Sequence, residues 1–249
     1  MSNHKFVYKE NDEEGLNTLN AIAETHHFNK WMYEAIQPYL KGEILEIGSG
    51  IGNITQYVVD DGLRITASDI RANYCDVLTE RFGNCSFVEE VRNIDIVHPD
   101  FDTVYLDIFG KFDSVVALNA IEHIENHHVA VANCKKLLKA EGRFIVLVPA
   151  FMKLYNGFDK ELHHFRRYTK KTLEQLLSEE GFLITNTKYF NVAGIFGWWF
   201  SGTVLKNRTL PPAQLFLFNR FVSLFKILDR LSRQRIGLSV ISVGTKRKK

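Results

Sequence analysis

Two groups of residues have the types and spacing for chemistry. In the first, the apolar run Ile44-Leu45-Glu46-Ile47 ends on an acid-bearing stretch and breaks into Gly48-Ser49-Gly50-Ile51-Gly52-Asn53. A glycine turn lets backbone N–H groups approach a ligand closely, because no Cβ stands in the way. Asp69 then follows at the interval, about 20 residues, at which a βαβ unit sets a carboxylate against ribose hydroxyls. The second group lies between Phe151 and Tyr168. It holds Tyr155, Asp159, His163, His164, Arg166 and Arg167 where a simple connection needs only a few polar residues. Such side chains can bind a polar reactant and move a proton, or pin one another in a structural ion-pair network.

The glycine spacing narrows the ligand. A dinucleotide fingerprint needs a small residue at position 53, which is Asn, and no Lys-Ser/Thr pair follows the turn as a phosphate loop requires. His26-His27, His127-His128 and His163-His164 are adjacent pairs, and adjacent residues point different ways, so each offers at most one ligand to a site. No spacing matches a zinc site or a facial triad, and no metal is expected.

The elements that must position these residues follow from periodicity. Apolar residues between Leu16 and Leu40 recur at helical spacing, and Trp31 and Tyr33 are expected to bind that cap to the sheet. Residues up to Gly15 are polar and expected to fray. Strands are predicted at Ile44 to Ile47, Leu63 to Asp69, Ser86 to Glu89, Phe112 to Leu118, Arg143 to Pro149, Phe182 to Phe190 and Leu238 to Thr245. Helices are predicted after the turn, over Val129 to Leu138 (closed by Gly142), over Leu173 to Glu180 (closed by Gly181), and as one amphipathic helix over Leu215 to Arg235. Strands alternating with helices predict an α/β chain with a mostly parallel sheet.

The stretch Glu46-Ile47-Gly48-Ser49-Gly50-Ile51-Gly52 resembles motif I of the class I S-adenosylmethionine-dependent methyltransferases. Phe112-Asp113-Ser114-Val115-Val116, followed by Asn119-Ala120-Ile121-Glu122-His123, is similar to that family's fourth-strand motif, and Leu137 to Pro149 to its fifth-strand entry. The resemblance covers Gly42 to about Gly181. It implies a Rossmann-like class I methyltransferase fold with an antiparallel last strand, as one domain: an N-terminal helical cap (1–41), a cofactor-binding core (42–190), a helical insertion (191–237), and the last strand with a basic tail (238–249). The cofactor implied is S-adenosyl-L-methionine, with S-adenosylhomocysteine as product. Its site would comprise Glu46, Ile47, Gly48, Ser49, Gly50, Gly52 and Asn53; Asp69 and Ile70 at the ribose; Ile94 and Asp95 at the adenine, with Asp107 as competitor; and Asn119, Ala120, Ile121 and His123 near the methionine part and the methyl.

The run Asn156-Gly157-Phe158-Asp159 to Thr169 is similar to a segment of a bacterial methyltransferase subgroup often associated with glycosyltransferases. His163 stands where that subgroup has glycine. The resemblance implies His123, Asp159, His164, Arg167 and Tyr168 as catalytic residues on the acceptor side. A small-molecule acceptor is expected, a sugar or lipid-linked intermediate among the options. The alternatives are a protein or nucleic-acid methyltransferase and a non-catalytic S-adenosylmethionine-binding protein. Against nucleic acid, the chain lacks an Asn/Asp-Pro-Pro-Tyr/Phe tetrapeptide, and its net charge of +2 is small and mixed.

The three cysteines, Cys75, Cys85 and Cys134, are odd in number and lack metal-ligand spacing, which suits a reducing compartment. The N-terminus carries no signal-like apolar core. A cytoplasmic protein is expected, membrane-peripheral if the insertion docks on lipid. The wide apolar face of that insertion must be covered by its own domain, a second copy in a homodimer, or an anionic membrane.

Overall fold

The computed structural model describes residues 13–209 and 211–248. The polar start up to residue 12 and the last lysine of the basic tail lie outside them. Helices α1 (Glu13–Ala23) and α2 (His26–Ile36) precede β1 (Ile44–Ile47). Then come α3 (Thr55–Asp60), β2 (Ile65–Asp69), α4 (Ala72–Phe82), β3 (Val88–Asn93), α5 (Phe101–Val104) and β4 (Phe112–Leu118). The second half runs α6 (His127–Leu137), β5 (Leu138–Pro149), α7 (Gly157–Glu161), α8 (Lys170–Glu179) and β6 (Phe182–Phe190). Helices α9 (Val192–Trp199), α10 (Pro212–Arg220) and α11 (Val222–Leu231) come before the last strand, β7 (Ser239–Lys246).

The seven strands form one sheet in the order β3-β2-β1-β4-β5-β7-β6. β7 runs antiparallel to both β5 and β6, and the other pairs are parallel. That is the sheet the sequence predicts. Alternation along the central strands divides the core between the two faces. Val115, Ala117, Phe144 and Val146 face one side; Val116, Ile145 and Leu147 face the other, with Trp31, Met32 and Ile36 of α2. Trp31 packs on Phe190 at 4.5 Å between ring centroids, and the Tyr33 hydroxyl donates to Asp61 at 2.6 Å. Both residues are buried and bind the cap to the sheet, as expected.

Three boundaries differ from the sequence reading. β3 runs over Val88–Asn93 rather than Ser86 to Glu89. It is an edge strand whose Glu89, Glu90 and Arg92 suit an exposed rim and hide its apolar alternation. α6 stops at Leu137, and Lys139 to Gly142 bulge out of β5, with Glu141 at φ 61°. The single helix expected from Leu215 to Arg235 is two, broken at Phe221. The break lets both pieces follow the cap: Phe218 meets Phe28 edge-on at 5.6 Å, Phe225 meets Phe218 at 4.8 Å, and Asn219 accepts the Phe28 N–H.

The insertion is tied to the sheet through Asp229 of α11, a buried carboxylate that accepts the Asn191 and Val192 N–H groups at 2.7 and 2.6 Å. Asp229→Ala leaves two backbone donors at the start of α9 without that acceptor. It should lower stability by about 1–3 kcal/mol, read as a lower denaturant midpoint at unchanged slope. A midpoint within error of wild type would mean that the insertion is anchored elsewhere.

Candidate functional site

The site lies where the strand order reverses. β1 pairs with β2 on one side and β4 on the other, so the loops leaving β1 and β4 diverge and open a crevice at the strands' carboxyl ends. The turn after β1 takes positive φ at Gly48, Gly50 and Gly52. Their roles differ. A Cβ on Gly48 would come within 3.1 Å of the Ala120 Cβ, so its absence lets the ends of β1 and β4 meet. A Cβ on Gly52 would strike the Phe82 ring at 2.4 Å, which makes Gly52 a packing residue against α4. Gly50 donates its N–H to Asp69 Oδ2 at 3.0 Å and lies under Leu19 of α1.

Ser49 is bonded to β2 twice: its N–H donates to the Ser68 carbonyl and its hydroxyl accepts the Ser68 N–H. Glu46 is buried behind the turn, where Oε2 accepts the Thr55 hydroxyl at 2.6 Å, so its carboxylate braces the turn against α3. Asn53 donates to the Leu19 carbonyl. Burial pushes the carboxyls of Glu46 and Asp69 up, and hydrogen bonds partly offset this. Asp69 also accepts the Arg71 N–H at 3.0 Å.

Ile94 donates its N–H to the Asp69 carbonyl, and Asn93 holds the Ile70 carbonyl, so the ends of β2 and β3 form one rim. Asp95 follows directly, half-buried, its Oδ1 accepting the Val97 N–H. Asp107, the competing acid, is engaged by Arg92 at 2.8 Å on the surface. Across the crevice Asn119 is exposed at φ 50°, with its N–H on the Leu147 carbonyl, while Ile121 is core.

The loop after β5 is clamped onto the loop after β4. Phe165 donates its N–H to the Glu122 carbonyl, and the Arg166 guanidinium donates to the Ile124 and Glu125 carbonyls at 2.6 and 2.7 Å. His163 adopts φ 56°, the left-handed conformation a glycine takes without strain, so the histidine fills that turn position. The turn brings His164 over Asp159, with Nδ1 and Oδ1 2.8 Å apart.

The five residues expected on the acceptor side separate here. Asp159 has no exposed surface and holds Arg167 Nε at 2.7 Å, while Arg167 also donates to the Ala150 carbonyl and stacks over Trp198. Burial alone would raise the Asp159 carboxyl, but His164 and Arg167 outweigh it and hold it below its ordinary value. Tyr168 is buried with its hydroxyl 2.8 Å from His127 Nδ1, and burial pushes that phenol up. The Asp159–Arg167 contact is the ion-pair network that the sequence left open as the alternative, and Tyr168 likewise has its hydroxyl on a protein partner. His123 and His164 do face each other, their rings 4.7 Å apart and edge-on. Burial depresses the His123 imidazole to about 3.

The sequence reading placed Glu122 with His123 at the start of the loop after β4 but did not count its carboxylate among the site residues. It is fully buried, neither oxygen has a hydrogen-bond partner among the described residues, and burial raises it to about 7. Its sequence signal is its place in the Asn119-Ala120-Ile121-Glu122-His123 stretch. Glu122, His123 and His164 together offer three ligand atoms within 4.8 Å of one another.

Residues 45–144 match the family described as Methyltransferase domain. A lovastatin diketide synthase, lovF, of Aspergillus terreus is 31% identical over 114 residues, covering 43% of this chain and 4% of the synthase. The chain thus spans a small part of the length of such curated relatives. Among solved structures, phosphoethanolamine N-methyltransferase 2 of Haemonchus contortus, in complex with phosphomonomethylethanolamine and S-adenosylhomocysteine, superposes with a TM-score of 0.63. Identity is 14%, over 97% of this chain and 61% of that one. An S-adenosylmethionine-dependent methyltransferase of Thermotoga maritima gives 0.61 at 15% identity, over 94% of this chain and 98% of that one. These likenesses show the fold to be the Rossmann-like class I methyltransferase fold.

Proposed function

We propose that this chain transfers a methyl group from S-adenosyl-L-methionine to a small-molecule acceptor, with S-adenosylhomocysteine as product. The observation that carries the reading is the turn at the strand reversal, where Gly48 lets the ends of β1 and β4 meet and Gly50 is tethered to a buried acid, Asp69. The methyltransferase-domain match over the same segment supports it. When bound, the cofactor supplies an electrophilic methyl on sulfur. Asp69 would accept from the ribose hydroxyls, Asp95 from the adenine amino group, and the backbone at Asn119 from the ammonium. The protein's contribution is then placement, which can amount to roughly 7–11 kcal/mol of the barrier. His123 and His164, on two loops stitched together, would face the acceptor. A polar acceptor such as a sugar or a lipid-linked intermediate suits them, in keeping with the glycosyltransferase-associated loop pattern. Calorimetry of the wild-type chain with S-adenosylhomocysteine tests the cofactor reading: one equivalent should bind, and no heat at any concentration would overturn it.

A specific observation favours membrane contact over a lid or dimer for the insertion. Phe216 and Leu231 are 71% and 74% exposed, and Phe196, Leu205, Leu224 and Ile227 are exposed as well. Residues 191–237 carry seven basic side chains and one acid, Asp229, which is buried. An apolar face on a segment with a surplus of cations, of which Lys226 and Arg208 pair with Glu34 and Glu161, suits an anionic lipid surface. No helix among the described residues is long and apolar enough to cross a membrane, so contact would be peripheral. Trp198 is turned inward, donating to the Leu154 carbonyl, and is not part of this face. The chain should pellet with anionic vesicles at low salt and less with neutral ones. Phe216→Ser with Leu231→Ser should weaken pelleting at least about tenfold, since each buried apolar side chain contributes about 1.5–3 kcal/mol. A wild-type chain that stays in the supernatant but sediments as a dimer would assign the face to a second copy.

A further inference from the structure

We propose that Glu122, His123 and His164 form a binding site for a divalent transition-metal ion at the acceptor side of the crevice. The argument begins with Glu122. Its carboxylate has no exposed surface and no hydrogen-bond partner among the described residues, although its backbone carbonyl takes the Phe165 N–H. A buried carboxylate left without a donor or a cation is costly, so the position calls for a positively charged or hydrogen-donating occupant.

One of the two imidazoles, His164, is arranged as metal ligands usually are, held from behind by a carboxylate. His164 Nδ1 is fixed by Asp159 at 2.8 Å, which leaves Nε2 directed towards Glu122 Oε1 at 4.0 Å. Asp159 is in turn oriented by Arg167 and by the Asn156 N–H at 2.9 Å. The His123 ring stands edge-on to that of His164, with 4.7 Å between centroids. The ligand atoms lie within 4.8 Å of one another. Bonds of about 2.1 Å to a tetrahedral ion would set them about 3.4 Å apart. A closure of at most about 1.4 Å is within reach of side-chain rotation, and His123 is only half-buried.

Two nitrogens and one carboxylate oxygen select the ion. Magnesium and calcium prefer all-oxygen shells, whereas zinc, iron, cobalt and nickel accept imidazole readily. Three protein ligands leave at least one position open. On the methyl-transfer reading above, that position would take an oxygen of the acceptor and favour its deprotonated form. The placement beside the methyl donor rests on that reading; the metal site itself does not.

The test uses Co2+ and the full chain after removal of bound metal with a chelator. The wild type should bind one equivalent with visible d–d absorption, and Zn2+ should displace it. Glu122→Gln and His164→Gln should each weaken Co2+ binding by at least tenfold, while metal-free samples still bind S-adenosylhomocysteine. His123→Gln, on the same loop as Glu122, replaces either variant that does not fold. No d–d absorption in the wild type at saturating Co2+, or equal affinity in the folded variants, overturns the site. In the first case the open oxygens of Glu122 would serve an acceptor's own donor groups. Failure of the metal-free wild type to bind S-adenosylhomocysteine would instead overturn the cofactor reading and leave the metal result standing.

Discussion

Gly50→Val is expected to reduce affinity for S-adenosylhomocysteine at least 100-fold. Gly50 sits at φ 56°, where a branched side chain is strained by about 1–3 kcal/mol, and its Cβ would lie 3.0 Å from Leu19. Relief of either conflict moves the turn, and with it the N–H that holds Asp69. The variant thus disturbs the backbone that would face the cofactor and the carboxylate that would accept from its ribose. A 100-fold loss corresponds to about 2.7 kcal/mol, which these two effects together can supply. Gly62→Ala is the control. Gly62 also has positive φ, 69°, but a Cβ there meets only Phe87 at 3.7 Å. It should lower stability and leave affinity unchanged. Equal affinity in Gly50→Val and wild type would remove the turn from the cofactor site.

Asp159→Ala is expected to be the most destabilising single change in the loop after β5. It leaves the Arg167 guanidinium, 1% exposed, without its carboxylate. Breaking a buried pair by removing one partner costs about 3–5 kcal/mol. For a chain of this size that is a fall in Tm on the order of 10 °C. The loss should not be additive. Asp159→Asn combined with Arg167→Met should be less harmful than the sum of the two, because neither leaves the other's charge stranded. Thermal denaturation of the four proteins reads this directly. Additive losses would mean that the two residues act independently and that the pair does not brace the loop.

The two halves of the site were unequally legible in the sequence. The cofactor side is local: Gly48, Gly50 and Gly52 form one turn, and Asp69 and Asn119 end strands that pair with β1. Apolar alternation and glycine placement encode such elements directly, because strand and turn conformations depend on neighbours in sequence. The acceptor side is not local. For Asp159 and Arg167 the sequence left two readings open, facing the reactant or pinning one another, since a charged residue in a loop carries no sign of whether it will be buried. Only the clamp of Phe165 and Arg166 onto the carbonyls of Glu122, Ile124 and Glu125 turned them inward.

The sequence by itself determined where most strands lie along the chain, the glycine turn and the acids at the strand ends. Hydrophobic periodicity and backbone sterics act over a few residues, and they suffice for these. The tertiary structure decided that the insertion bends at Phe221 to follow α2, that His163 serves where a glycine is expected, and that His164 meets Glu122 and His123. These meetings join residues about 40 or more positions apart. They arise from how loops pack once the sheet has formed, and linear spacing carries no record of that packing.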